Sequence, residues 1–346
     1  MSRSLAPENP DAEEEFNGLA LALFAAQREA VPIYRALCER RNIRPGSIEH
    51  WRQIPALPTR AFKEYEVSSI PPGERTRVFL SSGTAGQRPS RHFHNAESLS
   101  VYESSLLPWF RGHFPGAQPM PMKLVFLTPE AAPDSSLVHM FTIVRRAFGA
   151  PDSAFTGRLN ADGSWGLDVE QTLAAVREAV GENTPLGLLG TAFSFVHLLD
   201  HLQAAGKRFA LPKGSRVLET GGYKGRSREV PRAGLRLLLS RFLGVPPAQV
   251  VAEYGMSELS SQAYDDPGGV FRFPPWARAC VISPETGAEA GEGETGLLRV
   301  LDLANIASVL AVQTEDLAAR RGAGFELLGR AAASDPRGCS LRPGPW

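Results

Sequence analysis

Cysteine is scarce in this chain: Cys38, Cys280 and Cys339 are its only three. An odd count argues against a disulfide framework and leaves each thiol to be judged by its own surroundings. Also missing is any apolar run of the roughly 18 residues that a membrane span needs. The opening MSRSLAPENPDAEEEF is acidic and has no apolar segment of the signal-peptide kind, so the expected location is the cytoplasm. Neither sign of charge is in excess: 37 Lys+Arg stand against 37 Asp+Glu. That balance points away from nucleic acid and membrane surfaces and toward a small-molecule or protein partner. Internal repeats and low-complexity tracts are absent as well.

What is present is patterned hydrophobicity. Between Glu13 and Arg41, Phe16, Leu19, Leu23, Ile33 and Leu37 fall at helical spacing with a break at Pro32, which predicts two helices. Residues 95–114 predict an amphipathic helix capped by Asn95. From Lys123 onward, short apolar strands (123–127, 186–189, 216–219, 250–254) alternate with helices (168–180, 193–205, 227–243). The expected fold class is therefore α/β, with helices layered on a mainly parallel sheet. After Phe273 the pattern changes to turns and short strands (278–282, 295–302, 308–313). The expected division is 1–272, holding N-terminal helices and an α/β core, and 273–346, a smaller β-rich subdomain with a C-terminal tail.

Ligands of open α/β sheets bind beyond the carboxyl ends of strands, and four loops with reactive residue types follow strands here. Ser81-Ser82-Gly83-Thr84-Ala85-Gly86 offers small residues, hydroxyls and free backbone N–H groups to an anion, with Arg88 and Arg91 close behind. It is not a Walker A loop, since no Gly-Lys-Ser/Thr closes it, and alone it also reads as a plain Ser/Gly turn. Glu219-Thr220-Gly221-Gly222-Tyr223-Lys224-Gly225-Arg226 pairs glycines with two cations, although a turn before a helix explains it equally well. Glu253-Tyr254-Gly255-Met256-Ser257-Glu258 places a ring for a base, a hydroxyl for phosphate and a carboxylate for Mg²⁺ within six residues. Against that, an acid at a helix start would also account for Glu258. Gln313-Thr314-Glu315-Asp316-Leu317 puts two acids after a strand, where one could accept from ribose hydroxyls or simply be solvated.

In order and approximate spacing, these four loops resemble the motifs of the adenylate-forming enzymes, and Gly329-Arg330 resembles the glycine-arginine at their hinge. Within that superfamily, TGGYKGRSREVPR, EYGMSELSSQAY, VLDLANIASVLAVQTEDLA and GRAAASDPRGCSL are similar to the LuxE-type acyl-protein synthetases, over most of the chain. A weaker similarity links it to phenylacetate-CoA-ligase-like enzymes.

The resemblance implies ATP and Mg²⁺ as cofactors and a carboxylic acid, a fatty one by family, activated as its acyl-adenylate. It implies that Ser81, Ser82, Gly83, Thr84 and Gly86 clasp the β/γ-phosphates, that Tyr254 and Gly255 lie by adenine, and that Glu258 holds the metal. Ser257 stands where the family has threonine, keeping the hydroxyl; Asp316 takes the ribose and Arg330 the ribose or phosphate. Full-length relatives of the superfamily continue into a domain bearing a catalytic lysine, whereas only 16 residues follow Arg330. Lys224 or Arg226, next to Gly221 and Gly222, is expected to supply that charge. Cys339, flanked by arginines in a Gly- and Pro-rich tail, is implied as the acylated thiol that hands the group to a protein such as a reductase.

Cys38 and Cys280 sit in apolar patterns and are expected to be packing residues. His92 and His94 alternate as on a strand, without ligand partners nearby in sequence, which argues against zinc. Phe193 and Phe195 open a helix after a strand and read either as acyl-pocket wall or as ordinary core. Two other functions fit the same residues: a ligase delivering the acyl group to coenzyme A or a carrier protein, and a non-catalytic nucleotide-binding scaffold.

Overall fold

The computed structural model describes residues 10–81, 88–114, 121–222 and 228–331. These form two compact units, each assembled from separated stretches of chain. One takes Leu106–Gly255 and Ala263–Gly269; the other takes Met1–Ser105, Met256–Gln262 and Val270–Trp346, within the described limits.

The first of these is the α/β layer. Strands Ala154–Phe155, Lys123–Phe126, Leu186–Thr191, Arg216–Thr220 and Val250–Tyr254 lie side by side in that order, all parallel. Ala263–Asp265 adds an antiparallel strand beside Val250–Tyr254. Every residue of Leu186–Thr191 and Val250–Tyr254 is buried, as expected for strands covered on both faces. Helices Val169–Glu182, Ala192–Ala204 and Arg232–Leu243 contribute Leu173, Phe195, Leu199, Leu235 and Leu239 to one core with Val125, Leu188 and Val217 of the strands. Phe195 is thereby core, while Phe193 remains half-buried.

Helix starts follow the cap chemistry. Asp168 accepts from the Gln171 N–H at 3.0 Å and Thr191 from the Ser194 N–H at 3.2 Å, so a strand-end hydroxyl opens the next helix. The helix expected over 227–243 begins only at Arg232. Pro231 explains the difference: it fixes its own backbone outside the helix and disfavours helical geometry at Val230.

The second unit opens with helices Pro10–Ala30 and Pro32–Arg40, broken at Val31 and Pro32 as the pattern predicts. Asn95 does cap Ala96–His113, accepting from the Ser98 N–H at 3.0 Å. Its main sheet is an antiparallel run of Ala277–Ile282, Thr295–Asp302, Ala311–Arg321 and Gly324–Arg330, with Phe271–Arg272 next. Leu57–Pro58 joins it in parallel against Val312–Gln313. A separate hairpin pairs Arg77–Leu80 with Arg91–His94. One expectation is revised: Glu315 and Asp316 do not follow a strand but lie inside Ala311–Arg321, because neighbours on both sides extend the ladder past Gln313. A bulge between Leu317 and Ala318 marks the place.

Among the described residues, no helix is long and apolar enough to cross a membrane.

Candidate active site

In the second unit, Ser81 and Ser90 bracket the small-residue loop. The Ser81 N–H donates to the Ser90 carbonyl at 3.1 Å, and the Ser90 N–H to Ser81 Oγ at 2.9 Å. Antiparallel pairing of Leu80 with Arg91 fixes this register. Ser82, Gly83, Thr84 and Gly86 lie outside the described residues, as do Lys224, Arg226 and Cys339.

Glu258 lies buried at 4% exposure. Ser90 Oγ donates to its Oε1 at 2.5 Å, and Ser257 Oγ to its Oε2 at 3.0 Å. Two hydroxyl donors on its two oxygens fix the direction of this carboxylate. Hard oxygen donors of this kind suit Mg²⁺, which takes one or two carboxylates and completes its shell with phosphate and water.

The backbone around Glu258 is held from three sides. His92 donates from Nδ1 to the Ser257 carbonyl at 2.8 Å and accepts at Nε2 from Ser308 Oγ, 3.0 Å away. That pair of partners selects the Nδ1–H tautomer. Complete burial pushes the His92 pKa down to about 4, so the ring is neutral in ordinary buffers. Asn305 donates from Nδ2 to the Glu258 carbonyl at 2.9 Å and accepts from Ser260 Oγ at 2.7 Å. Asp302, fully buried, accepts from the N–H groups of Ser260, Ser261 and Ala304 and from Ser261 Oγ, all within 3.0 Å. Gln27 ties the same turn to the first helix, donating to the Asn305 carbonyl and accepting from the Leu310 N–H.

Asp316 and Arg330 face one another across paired strands, with Arg330 Nε 3.5 Å from Asp316 Oδ1. The arginine side chain is 81% exposed, so this ion pair contributes little stability and leaves the guanidinium open to a ligand. Gly329 beside it adopts φ 132°, a conformation that suits glycine.

In the α/β unit, Thr220 pairs with Glu253, which brings Gly221 and Gly222 to the strand end next to that of Tyr254 and Gly255. Gly222 adopts φ 91°, where a side chain would be strained. Tyr254 is mostly buried and Gly255 is exposed.

Close behind this edge, burial raises the Glu219 carboxyl to about 7 and that of Glu253 to about 8, the latter lifted further by Glu219. Arg232 lies 3.6 Å from Glu219 and opposes its shift. A carboxyl with a raised folded pKa stabilises the fold fully below its unfolded value, here 4.5, and loses that contribution as pH rises through the folded value. Thermal stability is therefore expected to fall from about pH 5 to pH 8, by up to roughly 1.4 kcal/mol per pH unit for each acid while it titrates. Glu253→Gln should flatten the profile and exceed wild type at pH 8; calorimetry showing an unchanged slope would remove Glu253 from this account.

Of the residues the sequence singles out, the structure describes Ser81, Gly221, Gly222, Tyr254, Gly255, Ser257, Glu258, Asp316 and Arg330. Sequence reasoning missed the residues that hold Glu258 in place: Ser90, Asp302, Asn305 and Ser308, and the non-metal part played by His92. The stretch VLDLAN carries two of these, but nothing in its pattern assigns them a partner.

A model of the family described as acyl-protein synthetase, LuxE, matches residues 2–342. The chain belongs to the LuxE acyl-protein synthetase family. It is 23% identical over 323 residues to a Vibrio harveyi long-chain-fatty-acid–luciferin-component ligase, covering 89% of this chain and 82% of that protein. A protein of the same name from Aliivibrio fischeri is 21% identical over 326 residues, with the same coverage. The fold resembles a 2-hydroxyisobutyryl-CoA ligase solved in its postadenylation state with 2-HIB-AMP: TM-score 0.65, 13% identity, 92% of this chain and 68% of that one. ATP-bound MatB from Rhodopseudomonas palustris matches at TM-score 0.52 and 17% identity, over 76% of this chain and 49% of that one. The expected α/β fold and the expected assignment to the LuxE-type acyl-protein synthetases both hold.

Proposed function

We propose that the chain activates a long-chain fatty acid with ATP and Mg²⁺ and passes the acyl group through Cys339 to a protein acceptor. The observation that carries this reading is the buried Glu258 carboxylate, clasped by Ser90 and Ser257 beside the loop that Ser81 opens, in a chain of the LuxE family.

A fatty carboxylate oxygen attacks the α-phosphorus of ATP, and pyrophosphate leaves with the bonding pair. Ser81, Ser82, Gly83, Thr84 and Gly86 would hold the β/γ-phosphates through hydroxyls and backbone N–H groups. Glu258 would hold Mg²⁺, which neutralises charge on the phosphates. Tyr254 would lie against adenine, and Asp316 would accept from the ribose hydroxyls while Arg330 stays near ribose or phosphate. Lys224, two residues after Gly222, would supply positive charge to the phosphates. The Cys339 thiolate then attacks the acyl carbonyl, AMP leaves, and the thioester is ready for a reductase or another acyl acceptor.

The test is acid-dependent ATP–pyrophosphate exchange with Mg²⁺ across straight-chain acids of increasing length, with branched and aromatic acids beside them. Exchange that rises with chain length supports the reading, and Lys224→Ala should slow it by well over a few-fold. No exchange with any acid favours a nucleotide-binding scaffold. Exchange together with Cys339-independent transfer to coenzyme A favours an acyl-CoA ligase.

A further inference from the structure

Ser90 belongs to none of the four loop motifs, yet among the described residues it links Ser81 to Glu258. Its Oγ lies 2.9 Å from Ser81 Oγ and 2.5 Å from Glu258 Oε1, and its side chain is 1% exposed. Each hydroxyl has one proton to give. The 2.5 Å contact to Oε1 is the shorter of the two, so the Ser90 proton goes there and Ser90 Oγ is left to accept from Ser81. Ser81 Oγ in turn accepts from the Ser90 N–H. A single consistent direction results: Ser81 hydroxyl to Ser90 hydroxyl to Glu258 carboxylate.

We infer that Ser90 is a positioning residue, relaying the orientation of the Ser81 hydroxyl to that of the Glu258 carboxylate. This rests on the reading of Glu258 as the metal-holding acid. Ser81 directly precedes the loop residues Ser82 to Gly86. When its hydroxyl turns toward a bound phosphate, Ser90 loses its donor, and the hold on Oε1 weakens or turns with it. Ser257 keeps Oε2 meanwhile, so Oε1 is the oxygen whose freedom depends on the loop. Carboxylates that ligate metals depend on such outer hydrogen bonds, whose loss typically costs about 10- to 100-fold in metal affinity or activity.

The experiment titrates wild type, Ser90→Ala and Ser90→Thr with MgATP, and with ATP in EDTA, by calorimetry. It then follows the Mg²⁺ dependence of pyrophosphate exchange. Ser90→Ala is expected to weaken MgATP binding and raise the half-saturating Mg²⁺ concentration by about 10-fold or more, leaving metal-free ATP binding within about 2-fold. Ser90→Thr, which keeps the hydroxyl, should stay close to wild type. Equal weakening of both nucleotide forms, a lowered melting temperature with unchanged Mg²⁺ dependence, or no metal effect on ATP binding by the wild type each overturns the inference. A wild type that binds MgATP but exchanges no pyrophosphate defeats the proposed adenylation alone, because the relay is still read from binding.

Discussion

Cys339→Ser is expected to abolish the acyl adduct seen by intact-mass spectrometry after incubation with ATP and fatty acid, while acid-dependent pyrophosphate exchange continues at close to the wild-type rate. The two steps use different nucleophiles: the fatty carboxylate attacks phosphorus, and a thiolate attacks the acyl carbon. Removing the thiol leaves the first step intact. The other two cysteines offer no substitute. Burial is the main cause that pushes the Cys38 thiol up to about 11 and the Cys280 thiol to about 12, and both side chains are buried. Reactivity belongs to the thiolate, which neither forms appreciably near neutral pH. A serine hydroxyl without an adjacent base is a poor nucleophile as well. An adduct that persists in Cys339→Ser would sink the assignment, and loss of exchange along with the adduct would assign the tail to adenylation instead.

Asp302→Ala is expected to destabilise the protein by about 3–5 kcal/mol, because it breaks a buried hydrogen-bond network of several donors. Three backbone donors, at Ser260, Ser261 and Ala304, lose their acceptor at once, together with the Ser261 hydroxyl. Each buried group left unsatisfied costs roughly 1–3 kcal/mol, offset in part by no longer burying the carboxylate. Ser260 and Ser261 follow Glu258 closely in sequence, so the released turn carries Glu258 with it. Exchange activity should fall even at temperatures where the variant is folded. Asp302→Asn keeps one acceptor oxygen and should lose about half as much stability. Denaturant titration giving less than about 1 kcal/mol for Asp302→Ala would show that water replaces the carboxylate at no great cost.

The legible parts of the site share one property: each is a short local string. SSGTAG, EYGMSE and ETGGYKGR stand out because hydroxyls, acids, an aromatic ring and glycines fall within a few residues at strand ends. The helices over Pro10–Ala30, Pro32–Arg40 and Ala96–His113 were equally plain, since apolar spacing, Pro32 and the Asn95 cap are local signals. Local signals also misled. The acids of TEDL resemble a solvated turn, yet ladders on both sides carry the strand through them, and Pro231 delays a helix whose apolar pattern starts earlier.

By itself, then, the sequence determined the layer type, the order of the motifs and the family likeness, and it singled out Glu258, Ser257 and Asp316 as candidates. Only the tertiary structure decided what holds them. Ser90 and Glu258 are 168 positions apart, and Ser257 and His92 are 165. Asp302 reaches Ser260 across 42 positions and Gln27 reaches Asn305 across 278. The physical reason is register: strand pairing fixes which side chains of the hairpin and of the antiparallel sheet point at the turn that carries Glu258. A one-residue slip would turn each of them to the opposite face.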